Sequence, residues 1–141
     1  MRLIRIAVIL ALCLAALSAV PAAAQIELTA SIDRGNCLPK DTTFTVPAGK
    51  TAYDFVALEV SGGNNCGTGA PLVERSFGIS RGSNSRAGDV LTFDGKPGSK
   101  TIILSRGNTV DLATFTLSAG TYTLFVNGGR NAFVRLSYKL R

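Results

Sequence analysis

Histidine and tryptophan are both absent from this 141-residue chain, which has a single methionine and three cysteines. Without an imidazole there is no ordinary general base near neutral pH, no proton shuttle and no histidine metal ligand. Serine–histidine triads and the common zinc sites fall away with it. The missing indole removes the largest of the aromatic platforms on which sandwich modules stack sugars. Acids are scarce as well, with nine Asp and Glu against fifteen Lys and Arg, a formal charge of +6. What the chain does have is 46% hydrophobic residues and 15 glycines, the composition of a foldable, turn-rich protein and neither a disordered nor a coiled-coil one. The length allows one domain.

The amino-terminal segment directs the chain out of the cytosol. Met1-Arg2-Leu3-Ile4-Arg5 carries two cations, residues 6–20 form an essentially apolar run, and Pro21-Ala22-Ala23-Ala24 supplies small residues at Ala22 and Ala24. A basic head, an apolar centre and a small-residue end make a secretory signal, with cleavage expected between Ala24 and Gln25. An apolar run of about 15 residues is short for a bilayer core that needs roughly 20, which argues against a retained anchor. Lipid attachment at Cys13 is disfavoured because Leu12 precedes it where a small residue is wanted. The expected division is therefore a signal over 1–24 and one domain over 25–141, in the periplasm or outside the cell. Cleavage leaves 117 residues and lowers the formal charge from +6 to +4 through loss of Arg2 and Arg5. Such a domain buries about two-thirds of its unfolded surface.

Two cysteines remain, Cys37 and Cys66, and in an oxidising compartment two cysteines pair. Nothing resembles the short Cys-x-x-Cys arrangement of a redox centre, so the expected bond is structural.

Apolar residues in the remaining chain recur with period two, the signature of strands. Ile26, Leu28, Ala30 and Ile32 alternate with polar neighbours and run into the turn Asp33-Arg34-Gly35-Asn36. Residues 42–46 form a second strand, and Pro47-Ala48-Gly49-Lys50 a corner. Over 51–61, Ala52, Val56, Leu58 and Val60 fall on one side and Tyr53, Phe55, Ala57 and Glu59 on the other. A strand apolar on both sides is expected at the centre of a sheet, or divided between core and a contact surface. Further strands are expected over 72–80, 90–93 and 101–104, with a phase slip between Leu112 and Phe115 pointing to a bulge near Ala113. Tyr122, Leu124 and Val126 alternate up to the turn Asn127-Gly128-Gly129, and Val134, Leu136, Tyr138 and Leu140 return. No ten-residue window carries a helical stripe. Short strands at these turn spacings predict an all-β fold, an antiparallel β-sandwich or jelly roll.

One pattern occurs twice. Phe44-Thr45-Val46-Pro47-Ala48-Gly49-Lys50-Thr51 reappears as Phe115-Thr116-Leu117-Ser118-Ala119-Gly120-Thr121-Tyr122, and both copies lead through a strand to a glycine pair, Ser61-Gly62-Gly63 and Asn127-Gly128-Gly129. The repeated unit is a strand, a tight glycine corner and a returning strand. The second copy, extended through Thr123-Leu124-Phe125-Val126 and closed by Val134-Arg135-Leu136-Ser137-Tyr138, resembles the end of bacterial pre-peptidase C-terminal domains, and residues 44–61 are similar to an earlier hairpin of the same family. That resemblance implies a small exported jelly-roll sandwich, appended to secreted hydrolases and not itself catalytic. It covers about 30 residues, and only the signal segment precedes it here, so it bears on fold more than on role.

Chemistry is sparse. Asp54, Glu59, Asp89, Asp94 and Asp111 are the acids available to a hydrolase, but Asp54 and Glu59 are an odd number of residues apart on one strand, which puts them on opposite faces unless a bulge intervenes. No Gly-x-Ser-x-Gly elbow occurs. Asn84, Asp89 and Asp94 are the candidates for a loop calcium ion, without the repeating acidic loop that calcium sites favour. Arg75, Arg81, Arg86, Lys96, Lys100 and Arg106 outnumber Glu74, Asp89 and Asp94, which fits a solubilising, edge-guarding surface better than an anion site, and no strand has the aromatic-studded basic pattern that stacks nucleic-acid bases. Tyr53, Phe55, Phe125 and Phe133 each lie opposite their strand's regular apolar row, so with Arg135 they are the candidate ligand or partner surface. The sequence therefore points to an exported, non-catalytic binding or structural module, needing no cofactor, with an envelope protein or glycan as partner. A carbohydrate-binding module using Tyr53 and Phe55 with a loop cation is the alternative, and an acid-based hydrolase a third.

Overall fold

The computed structural model describes residues 21–72, 76–83, 91–94, 101–104 and 109–141, with backbone alone at 91–94, 101–104 and 109–111. The described residues form strands and turns, with no helix. Ten strands follow in order: β1 (Ile26–Ile32), β2 (Pro39–Lys40), β3 (Thr42–Val46), β4 (Ala52–Ser61), β5 (Ser76–Arg81), β6 (Leu91–Asp94), β7 (Thr101–Leu104), β8 (Thr109–Asp111), β9 (Gly120–Asn127) and β10 (Phe133–Leu140). They make two antiparallel sheets, one ordered β2-β1-β10-β4 and the other β3-β9-β5-β6-β7-β8. The cores of two such sheets packed face to face are the β-sandwich the period-two pattern predicts.

The last two strands enter the middle of both sheets. β9 lies between β3 and β5, and β10 between β1 and β4. A central strand has neighbours on both edges and side chains packed on both faces, which is why Tyr122 through Val126 are buried without interruption.

β4 corrects the sequence expectation of a central strand, since it is an edge strand of the four-stranded sheet. Both of its sides are apolar because the strand is irregular. Its pairing with β10 shifts register twice, between Arg135 and Leu136 and between Ser137 and Lys139. The first shift leaves Leu58 unpaired, and the second sets Asp54 and Phe55 against Tyr138 alone, with Asp54 at φ 54°. Aspartate tolerates this left-handed conformation better than most residues. The buried row along β4 therefore becomes Ala52, Phe55, Ala57 and Val60, where strict alternation would place Val56 and Leu58 inside. A bulge near Ala113 is also corrected: β8 ends at Asp111 and Leu112, Ala113 and Thr114 form a turn.

Aromatic rings run through the interior from one sheet to the other. Phe44 meets Tyr122 at 5.8 Å and Tyr138 at 5.6 Å, Tyr138 stacks on Phe55 at 5.5 Å, and Phe55 meets Phe115 at 5.1 Å. Offset and tilted ring pairs of this kind add about 0.5–1.5 kcal/mol each beyond area burial. Tyr122 near the start of β9 donates its hydroxyl to the Ser118 carbonyl four residues upstream at 2.8 Å, which ties the start of the strand to the corner before it.

The duplicated sequence pattern corresponds to two crossings between sheets. From β3 the chain passes the Gly49 corner into β4 of the other sheet. In the second copy Leu117 bridges Ala52 of β4, and the chain then passes Gly120 into β9. The two glycine pairs meet at the far end of the sandwich, where Gly129 donates to the Gly62 carbonyl at 3.0 Å and Asn64 and Arg130 exchange backbone bonds of 2.9 and 2.7 Å. A methyl group on Gly129 would stand 1.7 Å from the Asn64 carbonyl oxygen, so glycine is required there by contact.

Candidate functional site

Three loops converge at this end: the β1–β2 turn, the segment after β4 and the β9–β10 connection. Asp33 shapes the first by accepting the amides of Gly35 and Asn36 at 2.8 and 3.3 Å, and it pairs with Lys40 at 2.8 Å. Those bonds, with the Lys40 hydrogen bond foremost, lower its carboxyl to about 2. Asn65 plays the same part in the second loop, accepting the amides of Gly67 and Thr68. Cys37 and Cys66 form the expected disulfide across the two loops, with Cα atoms 6.1 Å apart. The third loop lies between them, Arg130 donating to the Cys66 carbonyl at 2.8 Å and Asn131 to the Ile32 carbonyl at 3.1 Å. Leu38, 59% exposed, projects from this pinned end.

The five residues nominated as a surface separate. Phe55 is 1% exposed and packs between Tyr138 and Phe115, so it is a core residue and no platform; the Asp54 bulge turned it inward. Phe125 is 2% exposed, opposite Gly78 in the register, and lies outside the inter-sheet core cluster. Burial removes it as an exposed ring too. Tyr53, Phe133 and Arg135 share the outer face of the four-stranded sheet, because β10 sends Val134, Leu136 and Tyr138 inward and Phe133, Arg135, Ser137 and Lys139 outward. Tyr53 pairs with Lys139 in the register and carries the Arg141 guanidinium 5.0 Å from its ring centre. Both aromatics are half-buried.

Between them lies a shallow depression of about 230 Å³, lined by Gln25, Asp54, Val56, Leu58, Ser137 and Lys139. The β4 bulges build it. By displacing the phase they leave Val56, 37% exposed, and half-buried Leu58 on the outer face. Ser137 is 2% exposed. Around this apolar centre the charges are paired. Lys139 contacts Asp54 at 2.8 Å, while Arg135 stands between Glu27 at 3.8 Å and Glu59 at 4.0 Å. Val56, Leu58, Ser137 and Gln25 were missed by sequence reasoning, since the first two belong inside if alternation is strict; the Asp54 bulge has no stronger sequence signal than aspartate's tolerance of positive φ.

The arrangement has limited chemistry. Ser137 and Lys139 share the depression, but hydrogen bonding and attraction from Asp54 raise the lysine pKa, the wrong direction for a general base. Two bulges do bring Asp54 and Glu59 onto one face. Their partners Lys139 and Arg135 are four residues apart on β10, roughly 13 Å of strand, wider than the ~6.5–9.5 Å of an inverting carboxylate pair. Tyr53 and Phe133 stand six β10 residues apart, about 20 Å, too far to stack on one sugar ring. Among the described residues no three acids or cysteines cluster to hold a metal ion. The proposed calcium ligands Asn84 and Asp89 lie outside the described residues, as does most of the basic stretch from Arg75 to Arg106, and nothing describes the Asp94 side chain. No helix among the described residues is long and apolar enough to cross a membrane. Comparison with family models, curated proteins and solved structures finds no match to this chain.

Proposed function

We propose that the chain is an exported, non-catalytic β-sandwich module that binds a protein partner of the cell envelope or exterior through the outer face of its four-stranded sheet. The observation that carries this reading is the pair of bulges in β4. They place Val56 and Leu58 outside, and around them Glu27, Arg135, Glu59, Asp54 and Lys139 form a rim whose charges are already paired. An apolar centre within a polar rim is the anatomy of a protein interface. The Cys37–Cys66 bond is compatible with an oxidising compartment, and the amino-terminal segment supplies the export signal, with the mature chain beginning at Gln25. The resemblance to pre-peptidase C-terminal domains agrees with a non-catalytic, exported sandwich.

Immobilised exported chain, incubated with envelope extract, tests this. Wild type and Thr45→Arg, changed on the outer side of β3, retain the same partner, whereas Val56→Arg loses it. Equal retention by both variants would overturn the assignment of the surface.

A further inference from the structure

We propose that Gln25 is a modification site, closing after signal removal into an amino-terminal pyroglutamyl ring at the rim of the depression. The proposal rests on export with cleavage between Ala24 and Gln25, because only then does Gln25 own a free α-amine. Three features of its position support it.

Gln25 is not held in place. It is exposed and stands one residue ahead of β1. Among the described residues its backbone amide and its side-chain amide have no hydrogen-bond partner, so ring closure breaks no contact of the fold. Its location also disfavours a lasting charge. Ile26 pairs with Tyr138, which sets Gln25 level with Lys139, and both line the depression. An α-ammonium released there meets the Lys139 ammonium, and the Asp54 carboxylate that lines the same depression is already engaged by Lys139 at 2.8 Å. Arg141, over the Tyr53 ring, adds a second cation at the same end of the sheet, and Glu27 is placed two residues further along, toward Arg135. A neighbouring cation lowers an α-amine from its usual ~8 and raises the fraction in the neutral, nucleophilic form. Finally, the product suits the place, since a neutral lactam ring lies beside Val56 and Leu58 without a charge to solvate.

The step balances without a co-reactant. The α-amine nitrogen attacks the side-chain amide carbon, a new C–N bond closes the five-membered lactam, the bond to the amide nitrogen breaks, and that nitrogen leaves with the amine's proton as ammonia. One positive charge disappears from the face, and the terminus ceases to be a substrate for ordinary aminopeptidases.

Mass spectrometry of the exported chain purified from its native host tests the proposal. The expected amino-terminal peptide starts at residue 25, is lighter than the free form by one ammonia, resists amine labelling, and exposes Ile26 after pyroglutamyl aminopeptidase. Gln25→Ala gives the same start with a labelled amine. A wild-type chain that starts at Gln25 and is fully labelled would overturn the ring while leaving export intact; a chain that starts at Met1 would overturn both. In freshly released chain, Lys139→Ala slows closure about threefold, as for a pKa half a unit higher, and equal rates would refute the role given to Lys139.

Discussion

Breaking the Cys37–Cys66 bond is the perturbation whose size follows most directly from the architecture. The two cysteines are 29 positions apart, and cross-linking a loop of that length removes about 3.5 kcal/mol of denatured-state entropy at 25 °C. That is a large share of the roughly 5–15 kcal/mol that holds a domain together. Four backbone bonds, Gly129 to Gly62, both ways between Asn64 and Arg130, and Asn131 to Ile32, still tie the same three loops without the sulfurs. The reduced protein therefore keeps its fold and loses stability. For a domain of this size the midpoint of thermal unfolding falls by roughly 10–15 °C, and the urea slope rises because the unlinked denatured chain exposes more surface. Circular dichroism melts of oxidised protein, dithiol-reduced protein and the Cys37→Ser/Cys66→Ser double variant give the answer. Coincident melts, or complete loss of folded signal on reduction, would refute the entropic reasoning in opposite directions.

Gly129→Ala must push the Asn64 carbonyl aside and lowers stability by about 2–3 kcal/mol in urea titrations. Gly49→Ala meets no neighbour, but its φ of 75° costs the side chain about 1 kcal/mol. Tyr122→Phe removes the bond to Ser118, with an expected loss of about 1 kcal/mol. Asp33 is held at about 2, below its ordinary 3.8, so it favours the folded state above pH ~4 and this contribution fades as pH falls toward 2. Carboxyl NMR titration should place Asp33 there and move it upward in Lys40→Met.

Much of the fold is written in alternation. Period two marks β1 from Ile26 to Ile32, where one buried face forces the pattern, and residues 42–46 and 101–104, bounded by turn signals, read as strands at the observed bounds of β3 and β7. Pairing of the remaining cysteines followed from compartment chemistry. What alternation does not carry is the partner of each strand. Nothing local in residues 133–140 records that β10 lies between β1 and β4, and nothing in residues 51–61 distinguishes a bulged edge from a regular central strand. Alternation alone puts Phe55 and Phe125 on the surface, and non-local packing buries both. The depression was out of reach for the same reason: Gln25, just ahead of β1, Val56 of β4 and Ser137 of β10 meet only once the two register shifts are in place.

Site-specific photo-crosslinking in the native host tests the central claim most directly. A photoreactive residue at position 56, on the outer face of the four-stranded sheet, is predicted to give a discrete adduct with an envelope or exported protein, and the same residue at position 45 none. Adducts at position 45 without any at position 56 would contradict the account.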